Sequence, residues 1–160
     1  MALRIRSPAF GDGAPIPDEF TRRGRNISPP LDWSGAPEGT KSFVLVVEDP
    51  DAPSGTFRHW AVYDIPGDKT GFDENEDLSG SRQGVNDFGN QGYDGPEPPI
   101  GHGVHHYHFR LAALDTARLE GLQGQAKVSA IWDKAQPHLL EEAEVVGTYE
   151  AKAMAGETAG

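Results

Sequence analysis

The chain has 160 residues, with 25 Asp and Glu against 14 Lys and Arg, for a formal net charge of −11. That length suits one domain with a sizeable core, and that charge argues against nucleic acid or an anionic membrane surface as a partner. There is no Cys, which excludes disulfides, thiolate catalysis and Cys-ligated zinc.

The N-terminus, MALRIRSPAF, lacks the apolar core of a signal peptide. No apolar run approaches the roughly 20 residues needed to cross a bilayer, so a cytoplasmic protein without membrane insertion is expected. Leu3 to Phe10 alternates polar and apolar residues and predicts a short strand. Gly11 to Gly24 is rich in turn residues, and the tandem prolines of NISPPLDW (Asn26 to Trp33) favour a rigid extended segment. Ala36 to Lys41 reads as a turn. Ser42 to Glu48, SFVLVVE, is β-branched and nearly all apolar, as a buried strand is. The prolines of DPDAPSGT cannot continue a central ladder, so a loop follows. Phe57 to Ile65 is the next strand. Alternation sends Trp60, Val62 and Asp64 one way and His59, Ala61, Tyr63 and Ile65 the other.

From Gly67 to Gly101 the chain is long and polar, but Phe72, Phe88 and Tyr93 predict a packed, ordered loop. Val104 to Leu114 is a third strong strand. Ser129 to Glu144 predicts a helix with Ala130, Ile131, Ala135, Leu139 and Leu140 on one face, kinked or divided at Pro137. Val145 to Ala153 reads as a last strand. Twenty Gly and 13 Pro, about a fifth of the chain, punctuate these runs as turns do. The expectation is a single domain over 1–153 with a flexible tail, 154–160. Its fold is mainly β, antiparallel and Greek-key-like, with one or two short helices near the C-terminus.

Asp49 and Asp51 stand two apart at a strand end, which in extended chain turns both carboxylates to one side. Pro50 and Pro53 stiffen the backbone there. Such a pair suits acid–base chemistry, metal ligation or a clamp on other side chains, and it also suits an ordinary solvated turn. A hairpin brings His59 near these acids, which would favour its protonated ring and fix its tautomer. His105 and Tyr107 share one face of their strand; His106 and His108 share the other. The approach segment GPEPPIGHG (Gly95 to Gly103) is rigid at its prolines and open at its glycines, where backbone N–H groups can cradle an anion. His102, His105, His106 and His108 could hold a metal, yet no H-E-x-x-H spacing is present and neither metal nor cofactor is expected. No GxSxG elbow, Walker loop or dinucleotide fingerprint occurs, which favours a binding protein over an enzyme.

Taken in order, NISPPLDW, VVEDPDAPSGTFRHW and NDFGNQGYDGPEPPIGHGVHHYHFRLAALD resemble the phosphatidylethanolamine-binding protein family. The nearest branch is the bacterial and archaeal, Raf-kinase-inhibitor-like one, and the likeness runs from about Ser7 to Tyr149. The resemblance implies two antiparallel sheets with a small cavity near one end. It implies that Asp49, Asp51, Pro53, His59, Gly95, Pro99, His105 and Tyr107 border that cavity. Its guest would be a small anion: phosphate, acetate or a phosphoethanolamine-like phospholipid headgroup. A cis peptide bond at the proline of the DPDAP loop, a homodimer and a protein partner such as a kinase are further implications. A hydrolase using the Asp/His cluster as acid and base, or an inhibitor of a kinase or protease, are the alternatives. His106 stands where relatives commonly carry Arg; by parity it faces away, so little effect on the site is expected. No counterpart is expected here for the longer C-terminal extension that borders the pocket of eukaryotic members, which sets their lipid selectivity and Raf-type regulation apart from what the resemblance implies directly, a regulator of kinase-inhibitor-like type acting through the anion pocket.

Overall fold

The computed structural model describes residues 2–152. Its elements in chain order are β1 (Arg4–Arg6), β2 (Leu31–Ser34), β3 (Ser42–Asp49), β4 (Phe57–Pro66), β5 (Gly71–Phe72), β6 (Arg82–Gln83), β7 (His105–Leu114), α1 (Val128–Ala135) and β8 (Leu139–Tyr149). Short 3-10 turns lie at Asp18–Phe20 and Gln136–His138. The strands form two antiparallel sheets, one of order β1-β2-β5 and one of order β6-β4-β3-β7-β8. After the β3–β4 hairpin the chain builds β5 and β6, then returns as β7 on the far side of β3.

The apolar run of β3 is explained by burial on both faces. Phe43, Leu45 and Val47 meet the small sheet in a core that includes Ile5, Leu31, Trp33 and Phe72. Val44 and Val46 face the other way, toward Val128, Ile131 and Ala135 of α1. Three layers therefore share one strand. Truncating Leu45 to Ala should cost about 2–5 kcal/mol through lost transfer energy and the cavity left behind.

Two register shifts in the β3–β4 pair change the faces expected from plain alternation. One lies between the Phe43–Ile65 and Leu45–Val62 pairs, where Asp64 has φ 56°. It rotates Ile65 to the side of Trp60 and Val62, in the inter-sheet core. The other lies between Val47–Trp60 and Glu48–Arg58 and leaves His59 with no residue opposite. A bulge re-aims a side chain in this way, and His59 packs against Tyr107 on the inter-sheet side.

Several boundaries differ from those predicted. The first strand is only Arg4–Arg6, because Ser7 turns its hydroxyl to the Pro30 carbonyl, 2.7 Å away, and Pro8 follows. The helix expected over Ser129 to Glu144 ends at Ala135. Pro137 sits in a 3-10 turn, and Leu139 begins β8, which pairs with β7 as far as His105–Tyr149. Leu139 and Leu140 matched a helical face in spacing, but the residues from Leu139 onward alternate in burial as an edge strand does. The final strand thus starts six residues earlier than predicted and stops at Tyr149. The tail expected over 154–160 lies outside the described residues.

Among those residues every peptide bond is trans. The cis bond implied for the DPDAP loop is therefore not there. The chain reverses instead through an Asx turn, Asp51 N–H to Asp49 Oδ1 at 2.8 Å, followed by Gly55 N–H to the Ala52 carbonyl at 3.1 Å.

Candidate functional site

Where the end of β3, the start of β4 and the start of β7 meet, the sheet opens into a cavity of about 240 Å³. Its apolar walls are Pro53, Phe57, Phe88, Pro98, Pro99 and Tyr107. Asp49, Ser54, His59, Glu97 and His105 supply the polar ones.

Asp49 is buried, and both of its oxygens are committed. Oδ2 accepts from His105 Nδ1 at 2.6 Å, and Oδ1 accepts from the Asp51 N–H. His105 is 2% exposed. A ring whose Nδ1–H donates to a carboxylate presents Nε2 as an acceptor when neutral. That nitrogen lies 2.6 Å from Nδ1 of His102, which must then donate to it. The result is a one-way chain, His102 to His105 to Asp49, running from the surface to the sheet.

His59 is held differently. Its Nδ1–H donates to the backbone carbonyl of Asp94 at 2.9 Å. Its Nε2 has no protein partner among the described residues, and none of their buried polar side-chain atoms lacks one, so this nitrogen opens to the cavity. The same reasoning applies to the Tyr107 hydroxyl. Burial lowers the His59 pKa below the usual histidine value, and the Asp94 carbonyl and Asp49 charge offset this only in part. This corrects the expectation that nearby acids would raise it. Burial, assisted by Asp49, keeps the Tyr107 phenol protonated well above its ordinary range.

The residue behind His59 is itself a hub. The Asp94 carboxylate accepts 2.8 Å hydrogen bonds from Asn26, Asn86 and Asn90. Burial pushes its pKa up, but these three amides and the Arg22 charge outweigh burial and hold it low. Asn26 Oδ1 also accepts the Gly95 N–H at 2.8 Å. Neither Asp94 nor its amides were singled out in the sequence. The density of Asn in NDFGN was the available signal, because Asn bonds its own backbone as well as its neighbours.

Of the residues expected to border the cavity, Asp49, Pro53, His59, Pro99, His105 and Tyr107 do so. Asp51 and Gly95 do not. β3 ends at Asp49, so strand alternation no longer governs Asp51. Its carboxylate swings out to His106, accepting from the backbone N–H at 2.9 Å and from Nδ1 at 2.7 Å. The His106 side chain holds the Asp51 carboxyl below the usual range. His106 faces outward as parity predicted, but it grips the loop. Gly95 lies against the 20–21 backbone, where a Cβ would sit 2.0 Å from the Phe20 carbonyl oxygen, and its N–H is already spent on Asn26. The four clustered histidines also diverge: His106 turns to Asp51 and His108 to Glu144, leaving only His102 beside His105.

A larger depression of about 750 Å³ lies on the opposite face of the same sheet. Its two arginines are already paired, since Arg110 reaches Glu48 at 2.7 Å and Glu142 at 2.8 Å, and Arg58 reaches Glu48 at 3.5 Å. The small cavity is the chemically distinctive one.

Residues 6–150 match the family model described as phosphatidylethanolamine-binding protein. The chain is 44% identical over 151 residues to the UPF0098 protein of Aquifex aeolicus, covering 92% of this chain and 88% of that protein. The crystal structure of E. coli YbcL, described as a member of the mammalian PEBP family, superposes with a TM-score of 0.89 at 33% identity, covering 95% of this chain and 100% of that one. CT736 of Chlamydia trachomatis gives 0.86 at 35% identity, covering 94% and 99%.

Proposed function

Because the chain belongs to the phosphatidylethanolamine-binding protein family, we propose that it binds small acidic ligands, phosphate monoesters or carboxylates, in the cavity beside Asp49 and His105. The supporting observation is the tethering of both pocket imidazoles through Nδ1, with the Tyr107 ring packed against both and its hydroxyl available as a donor. The aromatic and proline walls strengthen any charge-assisted hydrogen bond made inside.

The donor count sets the pH dependence. Neutral His59 and His105 offer lone pairs at Nε2, which repel an anion, so full engagement takes up protons. Affinity for phosphate therefore rises as pH falls, and the His59 contribution arrives on the acid side of the ordinary histidine range. Calorimetry with inorganic phosphate, acetate and phosphoethanolamine from pH 8 to 5, in buffers of different ionisation heat, should show tighter binding with net proton uptake. Affinity independent of pH overturns this reading. In His105→Asn the side-chain amide can still donate to Asp49, so the fold should survive while phosphate binding is lost.

The Asp49–His105 pair is also the arrangement of a general base oriented by a carboxylate, which favours a hydrolase as the second reading. Turnover of phosphate or carboxyl esters, abolished in the His59 and His105 variants, would establish it.

A further inference from the structure

The two pocket imidazoles differ in one respect that the binding reading leaves unused. His59 Nε2 is open, whereas His105 Nε2 is covered by His102. His102 is otherwise exposed and belongs to a segment, Ile100 to Val104, that is poorly anchored. Gly101 and Gly103 flank it at φ 80° and 92°, a region open to glycine at no steric cost, and neither has an atom within 4 Å of where a Cβ would stand. Ile100 and Val104 are 58% and 50% exposed, so among the described residues neither side chain is an anchor buried in the core. Apart from a local turn, His102 N–H to the Pro99 carbonyl, its hydrogen bonds to the body among the described residues are Gly101 N–H to the Ala151 carbonyl at 3.3 Å and the His102–His105 contact.

We infer that His102 is a displaceable stopper, occupying the His105 nitrogen that an acidic ligand must use. This rests on the binding reading and adds its control. The stopper holds only while the ring pair shares a single proton across the 2.6 Å gap, His102 Nδ1–H donating to His105 Nε2. A proton taken up at His102 Nε2 leaves the contact in place, whereas one on His105 Nε2 would set two N–H groups face to face, so the His102 contact and a donor at His105 Nε2 exclude each other. The segment then swings out on its glycines, and His105 Nε2–H is left as a donor aimed at the ligand. Protonation of His105 Nε2 thus requires the plug to leave and makes the binding group. A ligand with an acidic O–H can deliver that proton itself.

The titratable groups around the pair are Asp49, bonded to His105, Asp51 just beyond it, and Tyr107 stacked alongside. His59 and Glu97 complete the cavity wall. Glu97 opposes a bound anion and so favours ligands that arrive partly protonated.

The test compares wild type with His102→Ala, using inorganic phosphate and acetate as probes and ¹⁵N spectra of the imidazoles. In the spectra, His105 Nε2 should move toward the position of an unbonded ring nitrogen in the variant, with no ligand present. In calorimetry at pH 8 the variant should bind phosphate about three- to tenfold tighter than wild type, with a shallower pH dependence. An unchanged Nε2 signal, equal affinities, or weaker binding by the variant overturns the stopper while leaving the pocket's acidic-ligand reading in place. Failure of both proteins to bind phosphate and acetate at any pH overturns the pocket reading and, with it, the gating.

Discussion

His59 and His105 carry the same tether at Nδ1 but to partners of different kind, a backbone carbonyl and a carboxylate. The carbonyl is only as well placed as Asp94, whose side chain is fixed by three amides. Asp94→Asn keeps the shape but brings an NH₂ against those N–H donors. Hydrogen bonds to a charged group are worth about 1.5–3 kcal/mol each, so at pH 7 this variant should lose about 2–3 kcal/mol in denaturant titrations. Because the folded pKa of Asp94 is depressed, that stabilisation is complete above the unfolded carboxylate value of about 3.9 and fades as pH falls through the folded one. The gap between variant and wild type should therefore close in acid; a gap that persists there would show that the charge is not its source. Strand parity put His105 and Tyr107 on one face in the sequence, and the family resemblance named them and Asp49 as cavity residues. The outward swing of Asp51 was not legible, since a turn cancels parity. Asp94 was hidden because its amide partners lie between 4 and 68 residues away.

At the level of elements, β3, β4 and β7 were readable from their apolar runs, and β8 was not. Its Leu139 and Leu140 satisfied a helical spacing that Pro137 in fact terminates. The two register shifts in β4 also escaped the sequence, because positive φ at Asp64 and an extra residue at His59 break alternation without any Gly or Pro to announce them. The loop from Gly67 to Gly101 was correctly read as packed: Phe72 meets Trp33 at 5.3 Å and Phe88 meets Phe57 at 4.7 Å. Its glycines separate by role. Gly95→Ala must push against the Phe20 carbonyl, and overpacking of that kind costs about 1–3 kcal/mol. Gly80 has open space around it, so Gly80→Ala should change stability by no more than about 0.5 kcal/mol. Thermal melts of the two variants side by side check the contrast; equal losses would contradict the close approach at Gly95.

For the molecule as a whole, the shifted groups that titrate between pH 7 and 3 act in one direction. Buried His59 resists protonation, so its contribution is complete above the unfolded histidine value of about 6.5 and is lost as pH falls through the lower folded value. Asp51, Glu76 and Asp94 are all held low, so theirs persists further into acid and is lost below about pH 4. The melting temperature should fall in two stages between pH 7 and 3, first modestly, then steeply. A melting temperature that rises over that interval would refute this assignment. Underneath these titrations lies β3, with Phe43, Leu45 and Val47 in one layer and Val44 and Val46 in another. Such a spine makes the molecule modular. The groups with chemistry hang from the outer ends of strands whose middles are fastened twice over, so the 50–56 and 97–104 segments can be exchanged like the bits of a drill while the chuck stays clamped.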